Sequence, residues 1–322
     1  MDLSLGRLFK ILFATDAHGS EPVFMKWVNA GKIHKADAIV MGGDITGKMI
    51  IPLVQQADGG FTAEFMGTKF TAKSTEEVQS LEKKIRTSGF YPHRTSPEEM
   101  HELKENSRKV DDLFTKIMVE TVARWIAVAE ERLKGTGIGC YVMPGNDDQL
   151  IIDDAINRSS YVVNPEGKVV QLDENHEMIS TGYSNITPWN CPRDIPEEQL
   201  EKKIEGMVSQ VKNLKNCIFN FHCPPHGTSL DVAPKLDENL KPVVSGGQVV
   251  MENVGSVAVR KAIDRHQPML GMHGHIHESK GTYNLGRTFC INPGSEYTEG
   301  ILRSILVVID EKGVKSFLPI SG

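Results

Sequence analysis

Five short apolar runs, each followed at once by residues able to bind a cation, constrain this chain more than any other feature of its sequence. The runs are Lys10 to Thr15, Ala38 to Met41, Cys140 to Met143, Cys217 to Phe221 and Met269 to Met272. Their hydrophobicity is continuous rather than alternating, so each reads as a strand covered on both faces, as in a layered α/β sandwich. Asp16 and His18 follow the first run, Asp44 the second, Asn146 the third, His222 the fourth, and His273, His275 and His277 the fifth. In open α/β sheets the loops at the carboxyl ends of the strands converge on one crevice. These residues are therefore expected to meet.

Helical patterns lie between the strands. Leu200, Ile204, Met207, Val211 and Leu214 recur every three or four residues after Pro196, and Val257, Val259, Ala262 and Ile263 follow Ser256 as N-cap, with Pro268 as the stop. One segment breaks the rhythm. Ile50 to Val54 and Phe61 to Met66, separated by Asp58-Gly59-Gly60, predict a β-hairpin. Ser74 with Glu77 predicts a capping box for a helix that Gly89 ends, and Ser96, Pro97 and Glu99 open another that could run to Leu133. About 38 residues of straight helix would reach roughly 57 Å, more than the ~50 Å expected across a compact chain of this length. That helix must bend, break or project. Residues 50–135 read as an insertion over or beside the crevice.

Composition removes several classes of function. Thirty-six basic against 42 acidic residues leave a net charge of -6, which disfavours non-specific binding to long nucleic acid or to an anionic membrane surface. No apolar stretch approaches the ~20 residues of a membrane span, and the N-terminus lacks the order of a signal peptide. Five scattered cysteines without a Cys-x-x-Cys pair suit reduced thiols. A cytoplasmic protein is expected.

Carboxylates and imidazoles without thiolates suit Mn²⁺, Fe²⁺, Zn²⁺ or Ni²⁺. Asp44 could bridge two ions with its two oxygens, and Asn146 would add an oxygen without charge. Two dications, two carboxylates and one hydroxide balance at about +1, a sign that attracts a phosphate ester. Other motifs carry less. Gly42 to Lys48 nearly matches a phosphate-binding loop, but Met49 stands where a hydroxyl is required and strand rather than helix follows. Gly255-Ser256 could offer helix N–H groups to an anion, but capping alone explains it more readily. Tyr183 and Trp189 are expected in the core, with stacking on a base or sugar as the alternative.

Together, Asp16-x-His18, Gly43-Asp44, Gly145-Asn146, His222 and Gly274-His275-x-His277 resemble the five-block signature of calcineurin-like metallophosphoesterases, most closely the Icc-related subgroup. The resemblance covers most of residues 8 to 310, including Asn292-Pro293-Gly294-Ser295, and leaves the insertion outside. It implies a four-layer α/β/β/α sandwich with a hairpin-plus-helix insertion, one domain over residues 1–322, and two divalent metal ions, manganese first and Fe, Zn or Ni as alternatives. By position, Asp16, His18, Asp44 and His277 would hold one ion and Asp44, Asn146, His222 and His275 the other, while His273 matches no ligand position. The implied reaction is hydrolysis of a small phosphodiester or phosphomonoester by a hydroxide bridging the ions.

One departure concerns the leaving group. The family often has Gly-Asn-His-Asp or Gly-Asn-His-Glu, with the His as proton donor, whereas this chain has Gly145-Asn146-Asp147-Asp148. An Asp beside two dications stays ionised and makes a poor acid. Either the substrates have good leaving groups or another residue donates, His226 being the candidate. Asp148 is expected to orient the loop. A metal-dependent nuclease and a non-catalytic interaction module that keeps the fold are the alternatives, and the long helix is a candidate contact for a homodimer.

Overall fold

The computed structural model describes residues 7–322. The chain opens with Phe9–Ala14 (β1), Glu21–Ile33 (α1) and Ala38–Gly42 (β2), with β1 and β2 paired in parallel. It then leaves the sheet for Ile50–Gln55 (β3), Phe61–Phe65 (β4), Thr68–Ala72 (β5), Thr75–Thr87 (α2), Tyr91–Thr95 (β6), Pro97–Glu105 (α3) and Ser107–Leu133 (α4). Gly139–Met143 (β7) returns to pair in parallel with β2. Next come Ile152–Asn157 (α5), Val169–Gln171 (β8), Glu177–Thr181 (β9), Glu197–Val208 (α6) and Ile218–Phe221 (β10). Four short strands, Val232–Pro234 (β11), Val244–Ser245 (β12), Gln248–Val249 (β13) and Met251–Asn253 (β14), precede Val257–His266 (α7) and Leu270–Met272 (β15). Gly281–Leu285 (β16), Thr288–Asn292 (β17), Arg303–Asp310 (β18) and Gly313–Ser321 (β19) complete the order.

Two sheets face each other. One has the order β19-β18-β1-β2-β7 and the other β16-β17-β15-β10-β9-β8. Alternation along β1 sets the layers: Phe9, Ile11 and Phe13 point toward Ile218, Leu270, Met272 and Ile291 of the second sheet, while Leu12 and Ala14 join Trp27 of α1 and Trp125 of α4 on the outer side. On the far face of the second sheet, Phe219 and Phe221 pack with Leu200 and Ile204 of α6 and Val259 and Ile263 of α7. The result is the α/β/β/α sandwich, with both faces of each sheet covered as the continuous apolar runs require.

Within residues 50–135 the expected hairpin forms between β3 and β4. It belongs to a four-stranded sheet of order β5-β4-β3-β6, whose own core joins Ile51, Leu53 and Phe65 to Val78, Leu81 and Ile85 of α2. The Ser74–Glu77 capping box closes in both directions. The long helix breaks at Asn106, which is extended (φ -136) and caps α4 by accepting from the Lys109 N–H. The buried face of α4, Met118, Val122, Trp125, Ile126, Ala129 and Leu133, packs on the chain's own first sheet, whereas α3 buries none of its residues.

Three expectations change and one alternative closes. The helix after Pro196 stops at Val208, short of Val211 and Leu214, because Ser209 and Gln210 turn back to the Gly206 carbonyl and Glu177 takes the Lys212 and Asn213 N–H groups. Ser96 caps α3, but Glu99 accepts from Thr95 Oγ1 rather than closing a box. Tyr183 packs against the outer core, while Trp189 is 61% exposed. The N–H groups at the start of α7 are already taken: Glu197 accepts from Val257 N (2.8 Å), Ala258 N (2.9 Å) and Ser256 Oγ (2.7 Å). A carboxylate at a helix N-terminus satisfies orphan donors and complements the dipole. Replacing Glu197 with Ala is expected to cost about 1–3 kcal/mol in denaturant unfolding, with metal content unchanged.

Candidate metal centre

Three of the strands that end at the crevice, β1, β2 and β15, deliver donors through a sharply turned backbone. Asp16 (φ 54), His18 (φ 41), Asp44 (φ 50) and His275 (φ 69) are all left-handed. A residue with a Cβ rarely adopts this conformation, and it costs about 1–3 kcal/mol where it occurs. The surrounding hydrogen bonds hold it: Asp16 N donates to Gly43 O (2.9 Å), His18 N to Asp44 O (2.8 Å) and Gly274 N to His222 O (2.9 Å). Two glycines permit the close approach. A Cβ on Gly43 (φ +117) would lie 2.5 Å from His222 Nδ1, and one on Gly145 would overlap the Asp44 carboxylate.

The side chains fall into two adjoining groups, Asp16 with His18 and His277, and Asp44 with His222 and His275, and a third that overlaps them joins His18 and Asp44 to Asp147. Asp44 Oδ2 lies 3.5 Å from His18 Nε2 and 3.3 Å from His222 Nε2, so one carboxylate oxygen faces both groups. Asp16 Oδ1 is 3.3 Å from His277 Nε2 and 3.8 Å from His222 Nε2. His222 Nδ1 sits 2.9 Å from the Gly42 carbonyl, and donating there turns Nε2 toward Asp44. Asn146 is fixed likewise: its Nδ2 donates to Asp194 Oδ1 (2.9 Å), leaving Oδ1 buried without a partner, as His222 Nε2 also is. Buried polar atoms left without a hydrogen-bond partner, in an oxygen and nitrogen set without thiolate, fit divalent cations.

Charge in the cluster is strongly constrained. Burial alone would raise both carboxyls, yet His277 holds Asp16 down at about 2 and His222 holds Asp44 well below the usual range. Burial works against charge on His222, but Asp44 and then Asp16 push it up to about 10. Burial instead lowers His18 to about 3 and His275 to about 4. Bound cations would compensate the same carboxylates and displace protons from the imidazoles.

Asp147 donates its N–H to Asp44 Oδ1 (3.0 Å), and its Oδ2 lies 3.9 Å from His18 Nδ1 and 3.3 Å from Lys48 Nζ. Burial and then Asp44 raise its carboxyl, with Lys48 opposing. Asp148 is fully buried and accepts from Gly145 N, Ile45 N, Thr46 N and Thr46 Oγ1, which ties the Asn146 loop to the Asp44 loop. His226 meets Asp231, Ser256 and Arg260, and none of its described contacts is with the cluster. His273 is buried with Nδ1 at the Phe221 carbonyl, outside both groups.

Several residues around the cluster carry no motif. Asp194 holds Asn146 and also accepts from Thr187 N, Thr187 Oγ1 and Cys191 N. Buried Arg193 donates to the Asp148 carbonyl (3.1 Å) and to Asp153 (2.5 Å). The Tyr297 ring lies 4.7 Å from the His18 ring at a tilt of 45°, and only its place after the Asn292-Pro293-Gly294-Ser295 tract hints at it. Ser295 Oγ in turn donates to the Asp16 carbonyl (2.7 Å). A cavity of about 390 Å³ lies elsewhere, between β16–β17 and β18–β19, with Lys280, Arg303 and Phe317 in its wall. Replacing Asp194 with Ala is expected to weaken metal binding about 10–100-fold while preserving the circular dichroism spectrum, as read by competition with a chromophoric chelator.

No protein-family model matches the sequence. Similar curated proteins include the uncharacterized protein MJ1162 of Methanocaldococcus jannaschii, 32% identical over 172 residues that make up 52% of this chain and 70% of that protein. Another is UDP-2,3-diacylglucosamine hydrolase of Escherichia coli O7:K1, 24% identical over 213 residues, 62% of this chain and 82% of the relative. Among solved structures, TT1561 of Thermus thermophilus matches with a TM-score of 0.52 at 14% identity, covering 98% of this chain and 99% of that one, a likeness of fold. With those relatives, and with the five motifs brought to one place between two sheets, the chain belongs to the calcineurin-like metallophosphoesterases, metal-dependent hydrolases of phosphoric esters.

Proposed function

We propose that this chain hydrolyses a small phosphodiester or phosphomonoester at a dinuclear centre, with Asp16, His18, Asp44 and His277 around one cation and Asp44, Asn146, His222 and His275 around the other. The observation that carries the reading is Asp44 Oδ2, facing His18 of one group at 3.5 Å and His222 of the other at 3.3 Å. A pair of divalent cations supplies positive charge beside phosphorus and the acidity that makes water a nucleophile at neutral pH. Manganese suits the mixed imidazole and carboxylate set.

The chain's own residues position and insulate. Gly42 and Asp194 orient His222 and Asn146, and Asp148 fixes the spacing of the Asp44 and Asn146 loops. Tyr297 covers His18 and His277 on one side. Such preorganisation is where most of the electrostatic stabilisation of a transition state originates. Among substrates, a nucleotide conjugate is favoured. One relative is named for hydrolysis of UDP-2,3-diacylglucosamine, and exposed Trp189 offers an aromatic face two residues before Cys191, whose Sγ lies 3.8 Å from Asp147 Oδ1.

Among the described residues no helix is long and apolar enough to cross a membrane. All five cysteines are free, which supports a cytoplasmic location. A homodimer through the insertion would rest on α3 and the exposed start of α4, since the rest of α4 packs on the chain's own core.

The test is a substrate panel, with bis(p-nitrophenyl) phosphate and nucleotide conjugates among its members, run with the metal varied. Chelation is expected to abolish turnover and Mn²⁺ to restore it. Asp44→Asn is expected to lower kcat by about 1,000-fold or more and to reduce bound metal from two ions per chain. Full occupancy without turnover on any ester would establish the non-catalytic reading instead.

A further inference from the structure

Exposure across the cluster is uneven. Side chains of Asp16, His18, Asp44 and His222 are at most 5% exposed, whereas His277 is 25%, Asp147 32% and Lys48 51% exposed. An ester whose phosphorus sits among the buried donors has Asp147 and Lys48, beside His277, at its exposed edge, where a departing half can extend. Among the described ion pairs, Lys48 is the one lysine or arginine that contacts a group of the cluster, with Nζ 3.3 Å from Asp147 Oδ2.

The ammonium is presented by rigid backbone. Ile45 N and Thr46 N are held by Asp148, and Gly47 N donates to Tyr91 Oη (2.8 Å). A Cβ on Gly47 would strike the Gly89 carbonyl, so the turn is locked between the sandwich and the insertion. Asp147 in turn is anchored by its N–H on Asp44. An ammonium has three donors, and the Asp147 contact uses one. Nearby carboxylates, Asp147 first, offset burial and raise Lys48 above its ordinary value. It therefore keeps its proton and serves as a fixed charge rather than an acid.

Resting on the function proposed above, we infer that Lys48, steered by Asp147, stabilises the oxygen of the departing group as negative charge develops on it. Water adds to phosphorus, the bond from phosphorus to the departing oxygen breaks, and its electron pair goes to that oxygen. The attacking water's proton passes to solvent, the departing oxygen takes one from solvent, and Lys48 ends as it began. An electrostatic contact made only as charge develops raises kcat rather than lowering KM.

The test uses the full chain loaded with Mn²⁺ and a graded series of aryl and alkyl phosphate esters, comparing wild type with Lys48→Met and Lys48→Arg. For Lys48→Met, kcat is expected to fall about 3-fold with p-nitrophenoxide leaving and about 100-fold or more with an alkoxide. Lys48→Arg should recover at least about tenfold of the alkoxide loss. KM, metal content and calorimetric affinity for inorganic phosphate should stay within about threefold throughout. An equal loss across the series, no loss, or a loss carried by KM and phosphate affinity would overturn the inference while leaving ester hydrolysis intact. A wild-type protein that binds metal but turns over no member would remove the proposed function and this inference with it.

Discussion

One carboxylate, shared by two imidazoles that arrive from opposite sheets, sets the terms for the rest of the molecule. His18 follows β1 of the first sheet and His222 follows β10 of the second, and both face Asp44 Oδ2. Such a contact survives only if the sheets keep a fixed separation. Phe9, Ile11 and Phe13 against Ile218, Leu270 and Met272 provide it, because a core packed at crystal density has little freedom to compress or slide. The apolar layer between the sheets and the polar cluster at its edge are thus one construction. The first fixes the distance across which the second operates.

Around the cluster, stabilisation comes less from contacts between the donors than from the groups behind them. Four donor-bearing residues occupy left-handed backbone, which local sequence disfavours. They are held by hydrogen bonds from neighbouring loops and by Asp148, which gathers four donors from two loops. The electrostatics follow the same division. Asp16 and Asp44 remain ionised in a buried place because imidazoles face them, and His18 and His275 stay neutral because burial outweighs those same carboxylates.

Much of this was legible before any coordinates. The five apolar runs appear as β1, β2, β7, β10 and β15, each within a residue or so of its expected limits, because a strand buried on both faces leaves an unbroken apolar signature. Ser74, Ser96 and Ser256 cap their helices as expected, since capping is a contact over three residues. Less visible were β9, whose run Glu177–Thr181 mixes polar and apolar residues, and β5 and β6, whose pairing depends on the insertion folding as a unit. Asp194 and Arg193 carry no signal, and Tyr297 only its place after the Asn292-Pro293-Gly294-Ser295 tract, because their roles arise only where distant loops meet. Trp189 departs from its expected place for a related reason: a tryptophan favours burial, and only the loop's course exposes it.

The bare backbone at Gly43 and Gly145 has a consequence for how this protein can change over time. Neither residue offers a side chain to chemistry, yet a single added methyl at one would press on the His222 ring and at the other would displace Asp44. Inheritance should therefore guard these two empty spaces as strictly as it guards the functional groups beside them. A lineage that abandons catalysis could drift first at the glycines, with every donor still spelled out in its genes.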